Sequence, residues 1–303
     1  MTELTLLLPE LRRVAAYPAV RRWVARGDRL PDVARGRESA LRSAFEFLGS
    51  GVPAAALTRS LDANDAAGAL WLRADPCHVM ADAAAVRMLA WDNLALTAEE
   101  NTEFARALRP LFGDAGFLLE AATPQRWYLR CPPEAKLPTF EPPQAVLGAD
   151  LLPHLPHGTN ERQWRHLLNE AQVILHNHPV NQRRAQRGQV TANSLWFWGA
   201  GTLPAWVRTP YAQVYSDDEL VRALAAIARC ALQPVAAFAP KTDTGAVLLD
   251  LATATDPSGA VAAVDDAMRA GRIGALTLRF ESGEGILFRR RHGWRVWRRV
   301  SAA

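Results

Sequence analysis

From Thr159 to Arg272 the chain alternates between two periodicities, and this alternation limits its fold more than any other feature. Trp164, Leu167, Leu168, Ala171, Ile174 and Leu175 recur at the i, i+3, i+4, i+7 spacing of one buried helix face. "NSLWFWGAG" then reads as a buried strand and turn. "ELVRALAAIARCAL" reads as a helix, "GAVLLDLAT" as a strand and "AVAAVDDAMRAGR" as a helix ended near Gly271. Short apolar strands separated by helices imply a layered α/β arrangement. The tail "ALTLRFESGEGILFRRRHGWRVWRRV" adds strand, turn, strand, glycine turn and strand. At the other end, LTLLL reads as a strand leading into a helix that Pro9 starts.

Residues 69–132 interrupt this pattern. "ALWLRADP" and "AAVRMLAW" read as strands. Thr97 and Glu100 form a capping box, and Phe104, Ala107, Leu108 and Leu111 give the helix that follows its apolar face. "AGFLLEAA" and "RWYLRCP" are two further strands joined by "TPQ". The expected organisation is a main α/β domain from residues 1–68 and 133–303, with residues 69–132 as an inserted α+β subdomain. The proline-rich "CPPEAKLPTFEPPQAVLG" is the expected linker. A chain of 303 residues with ten tryptophans and 49% hydrophobic residues can bury two such cores.

Composition excludes several function classes. Cys77, Cys131 and Cys230 are odd in number and far apart, which fits neither a disulfide framework nor a CxxC metal site. No apolar run is long enough to cross a bilayer, and Leu4–Leu8 is too short for a signal-peptide core. The expected location is the cytoplasm, with no membrane partner. Net charge is +4, carried almost wholly by arginine, since lysine occurs only at Lys136 and Lys241. So small an excess does not make nucleic acid an expected partner.

Two stretches carry a resemblance. "WLRADPCHVMADAAAVRMLAWDNLALTAEENTEF", closed by "RWYLR", is similar to the insert domain of archaeal-type, cofactor-independent phosphoglycerate mutases of the alkaline-phosphatase superfamily. "NSLWFWGAGTLP" resembles the strand and turn that follow that insert. Together with "LLNEAQVILHNHPVNQRR", these motifs also resemble the proteobacterial family called regulatory protein RpfE, often labelled phosphoglycerate mutase. The resemblance implies an incomplete alkaline-phosphatase-like mixed sheet with helices. It also implies what a working mutase needs: two divalent metals held by Asp and His clusters, and a serine that carries phosphate. The first 68 residues contain no Asp-Gly pair, "LLDLATATDPSG" is followed by no metal-type histidine, and the one His after His178 is His292. The expectation is therefore a non-catalytic or vestigial relative that binds a small phosphorylated ligand or a protein partner, with no cofactor. The alternative is a mutase or phosphatase using manganese or magnesium on an unusual ligand set.

Three groups of residues are candidate sites. Asn193, Ser194, Gly199 and Gly201, with Asn181 and Arg183 nearby in sequence, would line a ligand-facing turn at a strand end. The competing reading is a core strand whose glycines allow a close approach. Asp75, His78, His176 and His178 are the metal-ligand candidates, and Asp75 with His78 could also form an acid–base pair. The competing readings are a turn at Pro76 and a helix terminus at His176. Arg289, Arg290, Arg291, Arg295, Arg298 and Arg299, interleaved with Trp294 and Trp297 on an expected hairpin, are the nucleic-acid alternative. A solvated strand face is the plainer reading of that stretch.

Overall fold

The computed structural model describes residues 2–49, 51–82, 85–240, 245–295 and 297–298. It is a mixed α/β protein in two compact units. One comprises Met1–Ser50 and Pro204–Ala303, the other Gly51–Leu203. The inserted unit is thus larger than the expected 69–132. The helix Ala54–Asp62, the proline-rich segment and the helix Glu161–His176 all belong to it. The proline-rich stretch is not a free linker, because Phe140 stacks against Trp164 and Val146 is fully buried.

In the first unit the strands are β1 (Thr2–Leu8) and β2 (Asp28–Leu30). The second unit contributes β3 (Leu70–Ala81), β4 (Val86–Trp91), β5 (Leu118–Ala121), β6 (Trp127–Cys131) and β7 (Ser194–Thr202). The chain then returns to the first unit with β8 (Gln213–Tyr215), β9 (Ala231–Gln233), β10 (Ala246–Asp250), β11 (Ile273–Phe280) and β12 (Gly285–Arg289).

The first unit's sheet runs β2-β12-β11-β1-β10-β8-β9. β11, β1, β10, β8 and β9 are parallel, and β12 and β2 close one edge antiparallel. β1 lies between β11 and β10, which explains the apolar run of Leu6, Leu7 and Leu8 at its carboxyl end: there the parallel strand is covered on both faces. Leu4, Leu6 and Leu8 pack with Trp23, Val261, Val264 and Met268 from the helices Pro18–Arg26 and Ser258–Arg269. Parallel pairing also brings the segments that follow β8, β10 and β11 to one edge of the sheet.

Among the described residues the expected third C-terminal strand is not formed, and Val296, Arg299 and Val300 lie outside them. Arg290–Trp294 is a 3₁₀ turn instead. His292 is fully buried beside Phe288. Arg295 and Arg298 donate to the carbonyls of Arg26 and Gly27 at 3.1 and 2.8 Å, where the helix Pro18–Arg26 leaves its last acceptors open.

The second unit is built on β3, which is buried on both faces. It pairs with β6 along Leu70–Arg73, with β4 along Cys77–Ala81 and with β7 along Leu70–Cys77. One face packs under the helices Ala98–Asp114 and Glu161–His176. Trp71, on the other face, packs with Ala55 and Ala56 of the helix Ala54–Asp62. Between Trp71↔Gly201 and Arg73↔Trp198 the β7 side carries one more residue than β3. That is a β-bulge, with Gly199 at φ 67.

The bulge explains the glycines. A Cβ on Gly199 would stand 2.8 Å from the Ala54 Cβ, and one on Gly201 would stand 2.5 Å from the Pro53 Cβ. The start of the helix fills the space that a phosphate would need. Gly199→Ala combines a left-handed backbone cost of roughly 1–2 kcal/mol with overpacking of roughly 1–3 kcal/mol. Urea unfolding should show a loss in that combined range, whereas a surface glycine such as Gly188 has nothing within 4 Å and should show only its backbone cost.

Candidate functional site

Each unit holds one aspartate that is almost wholly buried, Asp250 in the first and Asp75 in the second, and the two are held alike. In the first unit Asp250, at the end of β10, is 2% exposed. Its Oδ1 accepts from Arg37 Nη1 at 3.0 Å and from the Ala252 amide at 3.2 Å. Its Oδ2 accepts from Arg37 Nη2 at 2.7 Å and from Ser216 Oγ at 2.8 Å. A carboxylate offers about four acceptor positions, so Asp250 is saturated.

Arg37 gathers two more carboxylates. Asp218 Oδ2 lies 3.2 Å from its Nη2, and Glu281 Oε1 lies 4.0 Å from its Nε. The second distance is too long for a hydrogen bond, and that buried Nε has no hydrogen-bond partner. Asp218 is also the N-cap of the helix Glu219–Ile227, accepting from the amides of Leu220 and Val221. Arg37 opens the helix Arg37–Ala44, where the macrodipole disfavours a cation. The carboxylates therefore set its position, not its own helix.

Electrostatics agree with this arrangement. Burial alone would lower the Arg37 pKa, but attraction to Asp250 and Asp218 and the hydrogen bonds to Asp250 outweigh it and raise it. Glu281 is pushed up, first by burial and then by Asp250 and Asp218, against the opposing pull of Arg37 and Arg13. A carboxyl group whose folded pKa is raised costs stability once it ionises. That cost should develop as pH rises above the ordinary glutamate value of 4.5. Glu281→Gln should consequently raise the melting temperature at neutral pH, and the gain should vanish at about pH 4 and below. A gain independent of pH would contradict this origin.

In the second unit Asp75 is fully buried on β3. Its Oδ1 accepts from Arg73 Nε at 2.8 Å and from the Trp127 amide at 3.3 Å. Its Oδ2 accepts from Trp91 Nε1 at 3.2 Å and Trp198 Nε1 at 2.7 Å. Arg73 in turn donates to Thr58 Oγ1 and lies over the rings of Tyr128 and Trp198. Two of the tryptophans that make "WFW" and "LAW" conspicuous are thus hydrogen-bond donors to one buried carboxylate.

The other ligand-site candidates from the sequence are held by neighbouring groups of the chain. Asn193 pairs with both the amide and the carbonyl of Val79 at 2.8 Å, extending the β3–β7 ladder. Ser194 is buried within β7. Asn181 clips Leu175 to Ala192 through its side-chain amide. Arg183 makes an exposed two-pronged pair with Glu103. The expected ligand-facing turn is therefore a bulge inside β7, with its flanking polar groups engaged.

The expected metal candidates do not converge. Asp75 is saturated, and His78 Nδ1 faces Thr191. His176 is exposed at a helix end. His178 is the N-cap of the helix Pro179–Gln186, its Nδ1 accepting from the Val180 amide at 3.3 Å. Burial first lowers the His178 pKa, which suits a neutral acceptor. Among the described residues no three His, Cys, Asp or Glu side chains are grouped to hold an ion. The carboxyl-edge cluster does not fit one either, since its innermost member has no acceptor position left.

Of the C-terminal arginines, Arg295 and Arg298 are tied back to the chain, Arg295 also pairing with Asp28. Arg289 ends β12, Arg290 and Arg291 are exposed, and Arg299 lies outside the described residues. Sequence reasoning missed Arg37, Asp218, Asp250 and Glu281 as a group. A signal existed for two of them: Asp250 ends an apolar strand, and Asp218 directly precedes an apolar helix. Among the described residues no helix is long and apolar enough to cross a membrane.

No family model matches the chain. Part of it is 42% identical over 66 residues to a probable 2,3-bisphosphoglycerate-independent phosphoglycerate mutase of Geobacter sulfurreducens. Part is 35% identical over 80 residues to a 2,3-bisphosphoglycerate-independent phosphoglycerate mutase of Methanosarcina barkeri. These alignments cover 22% and 26% of this chain, and only 16% and 20% of those relatives. The matched part therefore spans a fifth or less of the relatives' length. A solved cofactor-independent phosphoglycerate mutase from Thermoplasma acidophilum aligns at 15% identity and a TM-score of 0.40, covering 94% of this chain and 89% of that one. The chain is thus distantly similar to cofactor-independent phosphoglycerate mutases.

Proposed function

We propose that this protein is a non-catalytic, phosphoglycerate-mutase-like protein that acts by binding a small phosphorylated ligand or a protein partner. The regulatory role suggested by its resemblance to the RpfE family is part of the same proposal. One observation carries it. At the carboxyl edge of the parallel strands, where open α/β sheets place their sites, Arg37 fills the space among Asp218, Asp250 and Glu281. An internal guanidinium there supplies the positive charge that a metal-dependent phosphoryl-transfer enzyme takes from its ions. The local similarity to phosphoglycerate mutases supports the ancestry, and the saturated Asp250 supports the loss of chemistry.

The test is turnover. Purified protein supplied with manganese or magnesium should show no phosphoglycerate mutase or phosphatase activity above a heat-killed control. Activity that disappears in Asp250→Asn or His178→Ala, with the fold intact, would refute the proposal in favour of a metal-dependent enzyme.

A further inference from the structure

Trp294 and Trp297 are 81% and 72% exposed, more than any other large hydrophobic side chain among the described residues. Burying an indole is strongly favourable, so two of them in water on one short segment mark a contact surface. The segment is pinned. Arg26 donates to the Gly293 carbonyl at 2.7 Å, Arg295 pairs with Asp28 and the Arg26 carbonyl, and Arg298 holds the Gly27 carbonyl. The buried His292 anchors the turn from below. The indoles are therefore presented from a fixed base.

The surroundings select the partner. From Gly285 to Arg298 the sequence contains no Asp or Glu. Asp28, the acid that this segment touches, is already engaged by Arg295 and lies 3.3 Å from His292. Arg290, Arg291 and Arg298 are exposed. Every cation here is arginine, whose planar fork suits phosphate oxygens. The exposed apolar groups are flat rings, while the nearby Ile286 and Phe288 are buried. Among the described residues of this turn, that leaves stacking faces and no exposed aliphatic side chain.

We propose that this turn binds single-stranded nucleic acid, stacking bases on Trp294 and Trp297 while Arg290 and Arg291 contact phosphates. Sequence alone did not favour this partner, because the net charge is only +4 and a run of arginines is the ordinary mark of a solvated strand face. The inference is independent of the absence of catalysis proposed above.

The test is fluorescence anisotropy with labelled oligo(dT) and oligo(U) of about 12 nucleotides, using the full chain. Binding should appear at about 25 mM salt and weaken about 20-fold by about 200 mM, as two phosphate contacts on a single strand require. The double variant Trp294→Ala/Trp297→Ala should bind at least about tenfold more weakly, and Trp294→Phe/Trp297→Phe should recover most of the loss. Both positions are exposed, and an unchanged melting temperature would confirm that the fold is intact. No binding at low salt, or an alanine variant that binds as well as the parent, overturns the proposal. So does tryptophan-dependent binding to phosphatidylglycerol vesicles without oligonucleotide binding, which would assign the surface to a membrane.

Discussion

Asp75→Ala should destabilise the protein by about 3–5 kcal/mol, the cost of leaving a buried partner charge uncompensated. The removed carboxylate answers Arg73, two indole N–H groups and the Trp127 amide, and all of these but the half-buried Trp91 belong to buried residues. Against total stabilities of about 5–15 kcal/mol, a loss of that size should leave much of the population unfolded near 37 °C. Asp75→Asn should fall nearly as far. It keeps the shape but removes the charge, and it turns an amide N–H₂ toward groups that are themselves donors. Urea unfolding followed by tryptophan fluorescence and far-ultraviolet circular dichroism gives the measurement. A loss below about 1 kcal/mol, the range of ordinary surface changes, would mean that Asp75 is not the keystone of the second unit.

Arg37→Met is the second large effect. It leaves Asp218, Asp250 and Glu281 together without their shared cation, at a cost of about 3–5 kcal/mol near neutral pH. The direction of its pH dependence follows from Glu281. That carboxyl is already pushed up by burial and by Asp250 and Asp218, and Arg37 is what opposes the rise. Without Arg37 the group rises further, so folding of the variant should improve as pH falls into the carboxylate range. The deficit relative to the parent should narrow there and widen above it. Arg37→Lys should lie between the two, because an ammonium cannot reproduce the two-pronged contact with Asp250. A deficit that stays constant with pH would show that Arg37 acts through packing alone.

The sequence was most legible where the deciding interactions are local. The capping box of Thr97 and Glu100 is present in the structure, and the Trp164–Leu175 stripe faces the core. Both depend on residues within a turn or two of each other. The Arg73–Asp75 pair was also within reach: two residues apart on a strand share a face, so a charged pair in an apolar run signals a buried ion pair as well as a turn. The clamp was not. Arg37 lies 213 positions from Asp250, inside a polar excursion with no periodicity of its own. The glycines of β7 owe their identity to Pro53 and Ala54, which approach from a helix about 145 residues away in the chain. A strand reading of the C-terminal tryptophans sets Trp294 and Trp297 on opposite faces. Their segment is instead captured by helix-end carbonyls, and periodicity carries no trace of that.

If Arg37 closes the carboxyl edge of the first unit against metal, the protein should not bind manganese there. Calorimetric titration of manganese into the purified, chelator-treated protein tests it most directly. No saturable binding that depends on Asp250 is expected. Binding at one or two ions per chain, abolished by Asp250→Asn while the fold is retained, would contradict it.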